Sequence, residues 1–313
     1  REGDAYTSGV LSGSIAYFTS LLPHVKFQQR RLWRGVSNLQ VAGHVRLKGR
    51  RADTLLLGIY PSGLWARSVI RHKGGRTVLV DDGASSLDLA FDRLLNGGAS
   101  LSHGRVYRHL LQWVAGPAAM GAPDPEFYTA FPIKGSPWPV VGHKYEELRA
   151  AIGVRPPDGS LLVPDRSIWI DSNYTPVLGS HGHRLMIEAS VRAFGLNTYV
   201  PHRRTQRDFA ERICRDYGLE LLRPKVPVEL LIGPWTRAGL RVFTPPSSLA
   251  HTAGVFRENP GVLTMVRLST WLRHFQEQHV PTNQTEFEEG LARTERLERQ
   301  VESSGNWRVD SLV

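Results

Sequence analysis

From residue 167 onward, short apolar runs rich in β-branched and aromatic residues alternate with amphipathic runs at helical spacing. That rhythm leaves the chain few ways to fold. SIWIDS (167–172), NTYVPH (197–202), LELLRP (219–224), GLRVFTPP (239–246) and GVLTMVRL (261–268) read as strands. Between them HRLMIEASVRAFG (183–195), QRDFAERICRDYG (206–218), VPVELLIG (226–233) and SSLAHTAGVFR (247–257) read as helices, the first two closed by Gly195 and Gly218. A strand that returns through a helix pairs in parallel with the next one. The pattern therefore predicts an α/β fold, a doubly wound parallel sheet with helices on both faces. A charged helical segment over 284–302 follows.

The first half carries the same signals more sparsely. Strands are expected at 53–59 and 77–80, with a short helix between them ended by glycines, and helices at 86–95 and 104–115. Six prolines between 116 and 140 predict loop rather than regular structure there. The polar, proline-rich GVRPPDGS (153–160) reads as a linker, dividing the chain into domains of 1–155 and 156–313.

Lys and Arg number 39 against 29 Asp and Glu, a net charge of +10, which favours acidic partners. The basic residues are spread along the chain, and neither a zinc finger nor an aromatic RNA-binding signature is present, so nucleic acid is not the expected partner. Arg46, Lys48, Arg50 and Arg51 form a dense basic cluster suited to peripheral contact with an anionic membrane. The opening residues REGDAYTSG contain no apolar signal-peptide core, and no apolar run is long enough for a bilayer. The lone Cys214 leaves no intrachain disulfide and sits at a buried helical position. The expected location is cytoplasmic, with any contact made at the inner face of the membrane.

Three loops at expected strand ends carry chemistry. Asp81, Asp82 and Gly83 follow the 77–80 run, where a turn using Asp and Gly is the plain alternative to a functional loop. His202 closes the 197–202 strand and precedes Arg203 and Arg204. Ser247 and Ser248 follow the 239–246 strand and open a helix. They can cap it, or, with the exposed N–H groups and the helix dipole, hold a phosphate. His181 and His183 in GSHGH read as a glycine-flexible loop near donor or acceptor, with no third metal ligand spaced with them.

A D-D-G, then Y-x-P-H, then a paired serine, in this order, resembles the bacterial sialyltransferases and polysialyltransferases with their D/E-D/E-G, H-P and S motifs. PVEL (227–230) is similar to that pattern too, at the position where a glutamate contacts the donor ribose. The resemblance spans about 77–255, and one position departs from it: Arg203 stands where the family has proline after the histidine. It implies a GT-B fold, two Rossmann-like domains facing each other across a cleft, and inverting transfer of sialic acid from CMP-sialic acid to a glycan acceptor. Asp81 or Asp82 would be the base that takes the acceptor proton. His202, Arg203, Ser247 and Ser248 would meet the departing CMP phosphate, and Glu229 the ribose. No metal and no cofactor beyond the CMP-sugar donor is implied. The rival readings are a transferase using another CMP-activated keto-sugar acid such as CMP-Kdo, and a basic non-catalytic protein that binds nucleic acid or an anionic membrane.

Overall fold

The computed structural model describes residues 54–57, 76–80, 126–131, 133, 139–154, 166–281, 283–303 and 308–312. The chain divides into two compact units, one of Gln28–Lys144 and one joining Arg1–Phe27 to Tyr145–Val313. The pair Asp81-Asp82, the basic cluster at 46–51 and the helices expected at 86–95 and 104–115 lie outside the described residues.

The first unit holds a four-stranded, all-parallel sheet in the order β1 (Thr54–Leu57), β2 (Arg76–Val80), β3 (Glu126–Thr129) and β4 (Val140–Gly142). One of these strands, β3, lies inside the proline-rich stretch read as loop, and β4 starts at its last residue. The reason is local: Glu-Phe-Tyr-Thr alternates as a half-covered strand should, with Phe127 and Thr129 buried and Tyr128 exposed. The prolines flank the pairing: Pro125 directly precedes β3 in the sequence and Pro139 precedes β4, where a missing N–H costs no ladder bond. Arg76 on β2 grips Glu126 on β3 through a forked pair of bonds, Nη2 to Oε1 at 2.6 Å and Nε to Oε2 at 3.2 Å.

The second unit is built on a six-stranded sheet: β5 (Ser167–Ile170), β6 (Thr198–Val200), β7 (Glu220–Leu221), β8 (Arg241–Thr244), β9 (Leu263–Arg267) and β10 (Arg308–Ser311). All pairs are parallel, and the spatial order is β10-β9-β8-β5-β6-β7. Counted from β5 as the first strand, this is the doubly wound 3-2-1-4-5-6 order, with the switch in direction between β5 and β8.

Seven helices accompany this sheet among the described residues: α1 (Glu146–Val154), α2 (Thr175–Phe194), α3 (Arg207–Tyr217), α4 (Glu229–Arg237), α5 (Ser248–Phe256), α6 (Ser269–Gln278) and α7 (Gln284–Ser303). Strand alternation sends Trp169, Tyr199 and Phe243 to one face, against α2, α3, α6 and Phe287 of α7. Ile168, Ile170, Val200 and Val242 go to the other, against α1, α4 and α5. Cover on both faces buries Ser167–Ile170 at every position, which suits the apolar run Ile168–Ile170 that follows the serine. Gly195 and Gly218 end α2 and α3 in the left-handed conformation, their N–H groups donating to Val191 and Cys214 carbonyls. The Cys214 thiol is buried in this core, and burial pushes its pKa up to about 11.

Other elements differ from the sequence reading. Helix α1 packs through Ile152 onto the α4 side of the sheet, so it groups with the second unit although the expected boundary at 155 and 156 follows it. Helix α2 starts at Thr175, and GSHGH lies inside it rather than in a loop. Its glycines have separate tasks. Gly179 takes φ 67° and ψ 172°, kinking the helix after one turn. Gly182 lets α6 approach, since a Cβ there would stand 2.7 Å from Phe275 Cζ. No helix among the described residues is long and apolar enough to cross a membrane.

Candidate functional site

In an open parallel sheet the loops leaving the carboxyl ends of the strands on either side of the switch form a crevice, because successive connections depart to opposite faces. Here those loops are 171–174 after β5 and 245–247 after β8. Tyr174 ties them together: its hydroxyl donates to the Pro246 carbonyl at 3.0 Å and lies 3.3 Å from Thr294 Oγ1 of α7. Burial raises the Tyr174 pKa well above the ordinary tyrosine value, so the phenol remains a donor.

The centre of the crevice wall is Asp171. Its N–H still pairs with the Val200 carbonyl at 2.9 Å, so the pleat continues and the side chain falls on the Trp169 face, under α2. There it is 3% exposed and fully bonded. Oδ2 accepts the Tyr199 hydroxyl at 2.8 Å, and Oδ1 accepts His183 Nε2–H at 3.0 Å. The carboxylate can only accept, so Nε2 carries a proton, and Nδ1 shares a hydrogen bond of 2.9 Å with the Thr175 hydroxyl. His183 has no exposed surface and stacks on Phe209 with centroids 5.3 Å apart. Burial, followed by the Asp171 charge, holds the Tyr199 phenol protonated. The sequence reading missed this network. Asp171 was legible as a strand-end carboxylate in SIWIDS, but its partner lay within a stretch whose glycines suggested a loop.

The residues expected from sequence take up the neighbouring loops on the same edge. His202 follows β6 and accepts the Arg204 N–H at Nδ1, 3.2 Å away, so its proton sits on Nε2. Burial lowers its pKa; Asp171 opposes this, while Arg203, Arg204 and His183 add to it. His202 is thus a neutral N–H donor near neutral pH. The Arg203 charge also acts on Glu229, whose carboxyl is raised by burial and partly held down by its own backbone N–H and by Arg203. Glu229 opens α4, after β7. Ser247 takes the capping position of α5 with φ −164° and ψ 174°, yet its side chain makes no capping bond. Its Oγ is buried without a partner in the structure, as is Thr205 Oγ1 in the His202 turn. The plain capping role expected of the serines is therefore not what Ser247 does. Ser248 begins α5, and its side chain lies outside those described.

The edge is braced from behind. Glu298 of α7, 4% exposed, accepts the backbone N–H groups of Leu268 at 2.7 Å and Ser269 at 2.9 Å, capping α6 in place of any local side chain. A cavity of about 390 Å³ lies elsewhere, lined by Glu146, Arg149, Gly233, Arg237, Phe256 and Glu258. It adjoins the C-terminal ends of α4 and α5, which lead to the amino ends of β8 and β9, and Arg237 is paired there with Glu258. The chemistry therefore points to the opposite edge. An edge that offers a neutral imidazole donor, a guanidinium and two hydroxyls buried without a partner suits an anion joined to a polar ring system. No protein-family model and no curated protein matches the chain.

Proposed function

We propose that the chain is a GT-B-type inverting glycosyltransferase that moves sialic acid from CMP-sialic acid to a glycan hydroxyl. The observation that carries the reading is the shared carboxyl edge. His202, Arg203, Glu229 and Ser247 leave three different strands and occupy one edge of a sheet whose order switches beside them. A buried hydroxyl without a partner costs stability unless something completes it, and a phosphate oxygen at Ser247 does so. His202, held with Nε2–H outward from its Nδ1 bond, gives a hydrogen bond that strengthens as the leaving phosphate gathers charge. Asp81 or Asp82 removes the acceptor proton during attack on the anomeric carbon, and CMP departs with the electron pair of the glycosidic bond.

The test is calorimetry with CMP combined with a transfer assay using CMP-sialic acid. Wild-type protein is expected to bind CMP. Ser247→Ala should weaken binding by about tenfold, the scale of one hydrogen bond to a charged group. His202→Ala should lose more in turnover than in binding. Asp81→Asn or Asp82→Asn should lose about 10²–10⁴-fold in transfer with CMP affinity kept. CMP binding that is absent, or equal in all variants with transfer intact, removes the reading. Turnover with CMP-Kdo and not with CMP-sialic acid would move the donor assignment to that keto-sugar acid.

A further inference from the structure

The two histidines of GSHGH part company in the structure. His183 is buried on Asp171, whereas His181, two residues earlier on α2, is exposed. Its ring stands edge-on to that of His279, the residue that ends α6, with centroids 6.2 Å apart and planes inclined by 60°. The proposed transfer uses neither ring. We propose that His181 and His279 form a surface site for a divalent transition-metal ion of the zinc, nickel and copper class. One imidazole nitrogen from each residue holds the ion, and water completes its shell. No group of three or more His, Cys, Asp or Glu among the described residues is arranged to hold a metal, so the site is a two-imidazole one. Imidazole nitrogen suits these ions, whereas magnesium and calcium take oxygen ligands.

Packing sets the spacing of the two rings. Gly182, next to His181, has no side chain, and Phe275 of α6 occupies that room: a Cβ at 182 would lie 2.7 Å from Phe275 Cζ. Phe275 is buried, and His279 lies flat on it, with centroids 4.5 Å apart and planes 10° apart. One buried ring therefore fixes both the approach of the two helices and the orientation of the His279 imidazole. A hydrogen bond adds to this. His279 Nδ1 is 3.3 Å from the Phe275 carbonyl oxygen. A carbonyl only accepts, so Nδ1 carries a proton, and the neutral ring keeps its lone pair on Nε2, ready for a metal. Exposed His181 is the adjustable partner. With metal–nitrogen bonds of about 2.0–2.1 Å and ~1.15 Å from nitrogen to ring centre, two imidazoles on one ion have centres at most about 6.4 Å apart. At a tetrahedral angle the centres stand about 5 Å apart. The observed 6.2 Å lies inside the limit, and a shift of about 1 Å in the exposed His181 ring gives the tetrahedral arrangement. Neighbouring His274 is engaged elsewhere, with Glu277 at 3.4 Å and Gln278 at 2.9 Å.

The experiment is zinc calorimetry on the full chain for wild type, His181→Gln, His279→Gln, the double variant and His274→Gln, with magnesium as the control cation. Wild type is expected to bind zinc and to ignore magnesium. Each single variant should weaken one zinc step by no less than the about 10–100-fold that even an outer-shell change costs. Either loss ends the same shared site, so the double variant should lose no more than a single one, and His274→Gln should bind as wild type does. Zinc should also raise the wild-type Tm, because it binds the folded chain where α2 and α6 meet, and this rise should shrink in both single variants. A wild type that binds no zinc overturns the proposal, as do single variants of wild-type affinity, or losses that add in the double variant as two independent histidines would. Equal binding of magnesium at the same step overturns it too. If His279→Gln does not fold, His181→Gln, on the exposed ring, decides the matter alone.

Discussion

Glu298 offers the sharpest test of how the site's edge is held together. Its Oε1 is the acceptor for two backbone N–H groups at the start of α6, and Leu268, in the capping position, supplies no side-chain bond of its own. Glu298→Ala leaves both donors without a partner, one of them on a buried residue. At about 1–3 kcal/mol for each unsatisfied group, and with water reaching the half-buried Ser269 N–H, the loss is expected near 2–5 kcal/mol. That is a large share of the ~5–15 kcal/mol that keeps a domain folded. Glu298→Gln keeps the accepting oxygen and loses only the charge at a helix N-terminus, a cost of about 0.3–1 kcal/mol, up to ~2 where buried. The assay is equilibrium urea unfolding, read as a shift in midpoint at unchanged slope. The reasoning fails if Glu298→Ala costs less than about 0.5 kcal/mol, or if Glu298→Gln costs as much as Glu298→Ala.

Tyr174→Phe removes the donor to the buried Pro246 carbonyl, so it should cost about 1–3 kcal/mol in urea unfolding and also weaken CMP binding, because Ser247 is the next residue along that loop; unchanged values for both would show that the two loops are held by other means. His202 sits below its ordinary pKa of 6.5 because of burial, so the folded chain binds a proton there less readily than the unfolded one. Its neutral form therefore supports folding above about pH 6.5, and that support is lost as pH falls toward the folded-state value. His202→Gln should flatten this part of the acid limb in urea midpoints taken between pH 7.5 and 5, and an acid limb of wild-type steepness would contradict it. Gly182→Ala puts a methyl 2.7 Å from Phe275 Cζ, so it should destabilise the second unit by about 1–3 kcal/mol, whereas Gly153→Ala, 3.6 Å from the movable Arg237 guanidinium, should not.

The second unit was readable because both of its periodicities are physical necessities of a covered parallel sheet. Nearly continuous apolar strands such as SIWI and glycine stops such as Gly195 and Gly218 admit few other folds. His202 and Ser247 were legible for a related reason, since strand ends are where such sheets present side chains. Asp171 and His183 escaped because their bond joins a loop to a helix turn across twelve positions, and because Gly179 and Gly182 speak for a loop until their packing is known. Strand β3 escaped because proline density describes a neighbourhood, whereas pairing depends on which N–H is missing. Helix α6 gave too weak a start signal, for its cap comes from Glu298, 30 positions away in the chain.

The strand order also sets a timetable for synthesis. β5 is the first strand of its sheet to leave the ribosome, and it ends at the centre. β6 can cover one of its long edges as soon as it emerges, with β7 beyond it, but the other edge belongs to β8, which begins only at Arg241. Until then the nascent chain carries a three-stranded half-sheet with an open edge of unpaired N–H and C=O groups flanked by apolar side chains, the kind of surface that recruits other chains. A stall or a stop codon before residue 241 should therefore give an aggregating product rather than a smaller soluble one. The crevice at the switch point comes into being at the same moment that this hazard disappears.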